Sequence, residues 1–225
     1  MKNQRNIFVG IDLGIENKKT SAICILESKN WKVFPLNERC RNCQDIFGKE
    51  VIKKLKPYLK DAKVIAIDSP LTKGKGKGKM RLFEKFFSRK IFRDSKINPI
   101  PPILIPEVCD FSLRIKKKLE KEGFVMDINL IETSSRLVEA FLELKNIGIR
   151  SIECKSKNQR AAFFAALVAF FHSNFQTRYV GYKDGFLFLP KFSLWKKNWR
   201  KDFYFAWKER PRLKYHYLIT NIFEK

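Results

Sequence analysis

The sequence predicts an α/β protein built on a mixed central sheet, an antiparallel three-strand meander joined to parallel strands and flanked by helices. Two observations predict it. Residues 6–35 place short β-branched apolar runs between polar turns, the pattern of a meander. Further along, the apolar runs AKVIAIDSPL and MDINLIETSS are separated by segments of helical period, as parallel strands with helical crossovers require.

In chain order, Asn6–Leu13 and Thr20–Leu26 read as strands joined by the GIENKK turn, and Trp31–Pro35 as the third strand of the meander. Between Gln44 and Leu59, Ile46, Val51, Ile52, Leu55 and Leu59 recur at helical spacing with lysines opposite, which predicts an amphipathic helix. AKVIAIDSPL follows as a buried parallel strand, continuously apolar because both of its faces are covered. The segment TKGKGKGKM alternates lysine with glycine, buries nothing, and reads as a loop. Met80–Arg89 reads as a helix, residues 98–106 as a proline-rich connection, and Glu107–Lys121 as a helix with a lysine-rich face. Ile128–Ile131 is the next strand, and Ser134 or Ser135 caps a helix through Leu144. Asn158–His172 is apolar on nearly every face, as a buried helix is, and GYKDGFLFLP reads as a hairpin about its Asp-Gly turn. Residues 1–190 then form one domain, and residues 191–225 a basic, aromatic C-terminal extension.

The chain has 225 residues, of which 44% are hydrophobic, so it can build one core of ordinary size and is not a disordered basic tail. Against 23 acidic residues stand 47 Lys and Arg, a formal net charge of +24 that attracts polyanions, nucleic acid first. No signal peptide is legible, and AAFFAALVAFF is about half of a membrane span, so a soluble, cytoplasmic protein without membrane contact is expected. Cys40 and Cys43 form a lone C-x-x-C. A zinc site would need two more ligands, the chain has only His172 and His216 as histidines, and reduced thiols in a loop are the expectation.

Three apolar strands end in an acid: VGIDLG in Asp12, AIDSPL in Asp68 and LIETSS in Glu132. Ligands of open α/β sheets bind beyond the carboxyl ends of the strands, where all three acids would meet. Singly, each is explained as well by an Asx turn or a helix-start charge. Together they repel unless a cation joins them, and hard oxygen donors select Mg²⁺ or Mn²⁺. Two such ions about 4 Å apart serve phosphodiester hydrolysis.

The order of these elements resembles the ribonuclease H fold. More narrowly, VGIDLG, AIDSPL, the R-x-x-E of MRLFEKFF, the PIPP segment, LIETSSRL and AAFFAALVA followed by VGYKDGFLFLP are similar to domain-of-unknown-function family 429, described as predicted ribonuclease H-like nucleases. The resemblance spans residues 6–190 and implies an acidic site of Asp12, Asp68 and Glu132, with Arg81 and Glu84 nearby. The chain departs from it in one place. Where members usually carry an Asp at the start of the penultimate helix, NQRAAFFAAL has Ala161 preceded by Arg160, which implies a weakened second metal site, a substitute ligand such as Asn158 or Gln159, or a domain that binds without cutting.

The expected activity is a metal-dependent nuclease that binds DNA or RNA and hydrolyses phosphodiesters, with Asp12, Asp68 and Glu132 holding two Mg²⁺ or Mn²⁺ ions. The alternative is a non-catalytic nucleic-acid-binding domain on the same fold. Lys73, Lys75, Lys77 and Lys79, with Arg81, are expected to clamp phosphates beside the cleft. Lys196, Lys197, Arg200 and Lys201 surround Trp195 and Trp199, an interleaving that suits a single strand, although the two indoles are expected to pack against the domain.

Overall fold

A computed structural model describes residues 6–28, 43–74, 80–149, 152–209 and 219–220. Its main sheet has five strands, β1 (Asn6–Asp12), β2 (Ser21–Ser28), β3 (Cys43–Ile46), β4 (Ala62–Asp68) and β5 (Leu130–Glu132), in the order β3-β2-β1-β4-β5. β1 pairs antiparallel with β2 and parallel with β4, while β3 joins β2 antiparallel and β5 joins β4 parallel. The α/β class and the mixed sheet flanked by helices are therefore as the sequence predicts.

Among the described residues the third strand of the meander is β3. Trp31–Pro35 lies outside the described residues, and the strand beside β2 is Cys43–Ile46, whose last three residues open the segment read as a helix. Ile46 is buried as a strand residue, and α1 covers only Val51–Leu59. Periodicity misassigned Ile46 because one apolar residue fits either period.

β1 has partners on both sides and helices on both faces, and every residue from Asn6 to Ile11 is buried. Its pleat divides the core in two. Ile7, Val9 and Ile11 point with Ile65 and Ile67 toward α1 and α4 (Pro106–Lys121), meeting Val51, Leu55, Phe111 and Ile115. Phe8, Val64, Ala66 and Ile131 point the other way, toward α6 (Lys157–Ser173). That helix lies directly on β1, because a Cβ on Gly10 would come within 2.0 Å of the Ala162 carbonyl oxygen and 2.2 Å of the Ala166 nitrogen. Only glycine permits this approach.

Behind α6 stand α2 (Leu82–Phe87), α3 (Lys90–Asp94), α5 (Ser135–Phe141) and a second sheet of β6 (Thr177–Tyr182), β7 (Gly185–Pro190) and β8 (Ile219–Thr220), ordered β7-β6-β8. β6 and β7 form the expected hairpin, turning at Lys183 and Asp184 before Gly185. α7 (Lys197–Lys208) is no appendage to residues 1–190. Phe203 and Trp207 are buried among Phe86, Phe87, Phe92 and Phe141, and Trp195 is fully buried with its indole N–H donating to the Pro190 carbonyl at 2.8 Å. The aromatic residues of the extension complete the core, as expected for Trp195, while Trp199 stacks on Phe92 at 6.3 Å. Among the described residues no helix is long and apolar enough to cross a membrane.

Candidate functional site

The register of the main sheet aligns its acids. Asp45 of β3 stands opposite Ala22 of β2, Ala22 opposite Asp12 of β1, and Asp12 opposite Asp68 of β4, so one transverse row carries three carboxylates. Side chains of one row share a face, here the face under the first turn of α6. Asp45 is tied to that turn, accepting from Ser156 Oγ at 2.6 Å and from Gln159 Nε2 at 2.9 Å. Sequence reading missed Asp45 by placing it at the mouth of a helix.

Asp12 and Asp68 are the acids of the row left facing the cleft. Burial raises the Asp12 carboxyl well above its usual range, and the neighbouring charge of Asp68 adds to this. Burial likewise lifts Asp68 to about 6, against the lowering effect of Ser135, whose hydroxyl donates to Asp68 Oδ2. The guanidinium of Arg136, on the exposed side of α5, favours the ionised form of both. Burial thus disfavours the ionised form of both adjacent carboxyls, a cost that a nearby positive charge lowers.

Glu132 lines the same cleft and its charge adds to the raising of Asp68, but register turns its side chain away from the pair. Its ladder partner is Ile67 rather than Asp68, so its side chain turns to the opposite face, where Arg81 meets it. Arg81 Nη1 donates to Glu132 Oε2 at 2.6 Å, Arg81 Nη2 and Nε donate to Glu84 Oε1 at 2.5 and 2.9 Å, and the Leu71 N–H donates to Glu132 Oε2 at 2.8 Å. All three charged side chains are buried, at 1% exposure for Arg81. The R-x-x-E spacing also makes a cap, with Glu84 Oε2 accepting from the Arg81 backbone N–H at 2.8 Å. Thr72 extends the network by accepting from Arg81 at 3.1 Å and donating to the carbonyl of Asp184 in the hairpin turn at 2.8 Å. Arg81, expected to contact nucleic acid, lines the cleft at 1% exposure with its guanidinium donating to two carboxylates and to Thr72.

Around Asp12 and Asp68 opens a cleft of about 600 Å³. Arg136, Lys157, Asn158 and Arg160 line one side, Pro99, Ile100, Ile105 and Val108 another. Ala161 also faces it, so the first turns of α6 present a methyl group there. Ser69, next to Asp68, is 7% exposed, and its hydroxyl has no hydrogen-bond partner among the described residues. Among those residues, too, no group of three or more His, Cys, Asp and Glu side chains converges into a ready metal cage.

The remaining expected contacts divide. Lys75, Lys77 and Lys79 lie outside the described residues, as do Cys40 and His216. Lys73 is exposed and paired with Asp110 at 2.7 Å. In α7, Lys197 and Lys201 are exposed, whereas Arg200 Nε donates to the Trp195 carbonyl at 2.7 Å and Lys196 Nζ reaches the Glu139 carbonyl at 3.5 Å. His172 is taken up by Thr177 and the Ile128 carbonyl, at 2.7 and 2.9 Å.

Comparison with models of known families, with curated proteins and with solved structures gives no match for this chain.

Proposed function

We propose that this protein is a metal-dependent nuclease on a ribonuclease H-like arrangement, with Asp12 and Asp68 as its centre. The observation that carries the reading is their direct opposition in the β1–β4 ladder, at the carboxyl edge of a sheet, in a cleft rimmed by cations on a chain of net charge +24. The strand order β3-β2-β1-β4-β5 is compatible with that arrangement.

The donor set fits a hard divalent ion: two carboxylates with raised proton affinity, the unpartnered Ser69 hydroxyl, and the Asn158 amide on the same cleft. Mg²⁺ or Mn²⁺ held there supplies charge neutralisation and Lewis-acid activation of a phosphodiester. Ser135 fixes the orientation of Asp68, and Arg136 and Lys157 draw the phosphate backbone onto the cleft and hold it in position. Glu132, with Arg81 and Glu84, braces the corner between β4 and α2. We therefore assign the binding of one ion to Asp12 and Asp68, and a framing role to Glu132.

Ala161 facing the cleft and Glu132 held by Arg81 favour a second reading, a nucleic-acid platform that does not cut. Labelled single-stranded, duplex, hybrid and branched substrates, incubated with Mn²⁺ or Mg²⁺, separate the two. Cutting that EDTA and Asp12→Asn both abolish supports the nuclease, and binding without cutting on every substrate supports the platform.

A further inference from the structure

We propose that the proline-braced turn at residues 99–105 is an apolar wedge for nucleobases, so that the cleft takes a strand whose bases are unpaired beside the bound phosphate. This rests on the nucleic-acid reading above.

The cleft has two unlike walls. Arg136 and Lys157 offer charge to phosphates, while Ile100 and Ile105 offer only hydrocarbon. Beyond the rim, Ile103 is 47% and Leu104 70% exposed, although Pro101 and Pro102 beneath them are buried. The tip is a short 3-10 turn, closed by the Leu104 N–H donating to the Pro101 carbonyl at 3.0 Å and the Ile105 N–H donating to the Pro102 carbonyl at 3.2 Å. Prolines at 101, 102 and 106 fix φ through this turn, so the exposed side chains are already held in place before anything binds. A plain connection would carry polar residues at such a tip.

Charge complementarity selects the occupant. A polyanion drawn by the cations meets this hydrocarbon wall next, and a stacked duplex, which shows phosphates outward, has nothing to bury against it. Unstacked bases do, and Leu, Ile and Pro are the side chain types that proteins insert between base steps.

The test is affinity of the full chain, measured by fluorescence anisotropy with divalent ions chelated, for a single strand, a duplex and a splayed junction of one sequence. Wild type should prefer the single strand and the junction. The variant Ile103→Ser/Leu104→Ser should lose about tenfold on those two probes and nothing on the duplex, with an unchanged melting temperature because both side chains are exposed. A junction labelled with 2-aminopurine should brighten on binding wild type and stay dim with the variant. Equal affinity of wild type for all probes, or a variant that binds each of them as wild type does, would overturn the wedge and leave the tip to a protein contact. Failure of wild type to bind any probe at low salt would instead overturn the nucleic-acid reading beneath it.

Discussion

Asp12 and Asp68 face each other across neighbouring parallel strands, while Glu132, one register step away, pairs with Ile67 and points to the opposite side of the sheet. Burial of Asp68, with the charge of Glu132 adding to it, stores electrostatic cost in the apo protein. Asp68 has a folded pKa of about 6 against an ordinary 3.8, so between these values the native state binds the extra proton and stability falls as pH rises. Above about pH 6 the whole cost is present. Asp68→Asn should therefore be more stable than wild type near neutral pH in EDTA, by about 2 kcal/mol, and no more stable near pH 4. Thermal melts at the two pH values check this. A variant less stable at neutral pH would show that the carboxylate is supported rather than strained.

Removing the same charge should cost function. Asp12→Asn should retain the wild-type circular dichroism spectrum and lose the rise in melting temperature that Mn²⁺ gives wild type, because one of two opposed carboxylates no longer carries charge. Any metal-dependent cleavage should fall by at least about a hundredfold. For wild type, metal affinity should weaken as pH drops below about 6, where protons compete for Asp68. Calorimetric titration at two pH values reads this without reference to activity.

The strand ends were legible in the sequence because each buried run stops at an acid, and the helix on β1 was legible because AAFFAALVAFF is apolar all round. Whether strand-end acids meet was not. Parity decides it, and parity depends on a ladder register that single-strand patterns do not contain: Asp12 and Asp68 share a row, and Glu132 misses it by one residue. Asp45 escaped for a related reason, since its strand is short and gains its identity only from pairing with β2. The burial of Arg81 was not legible either, because a basic side chain following a lysine-rich loop looks solvent-facing until its two buried carboxylate partners are in place.

That network makes Arg81 a stability residue. Arg81→Met leaves Glu84 and Glu132 buried without their cation and should destabilise the fold by about 3–5 kcal/mol. Burial already lifts Glu84 to about 7, against the lowering effect of Arg81, and burial raises Glu132 as well. The loss in the variant should accordingly be greatest above pH 7 and ease on acidification, as the two orphaned carboxyls take up protons. Denaturant melts of wild type and variant across pH give the dependence. A loss that does not change with pH would mean that Arg81 acts through packing, such as its contact over the Phe83 ring at 4.4 Å, rather than through charge.

The cations of α7 should divide by the same logic. Arg200 is committed to the Trp195 carbonyl, so Arg200→Gln should lower the melting temperature and leave the salt dependence of nucleic-acid binding intact. Lys197 and Lys201 are exposed on the helix whose other face packs into the core through Phe203, Ala206 and Trp207. If α7 contacts the phosphate backbone, Lys197→Gln/Lys201→Gln should fold as wild type does and reduce the slope of log affinity against log salt by about 1.4–1.8, the release of counterions from two phosphates. Affinity measured over a salt series for both variants checks the division. A slope unchanged by the double substitution would place the phosphate path on the cleft cations Arg136 and Lys157 and leave α7 as a core element with a solvated outer face.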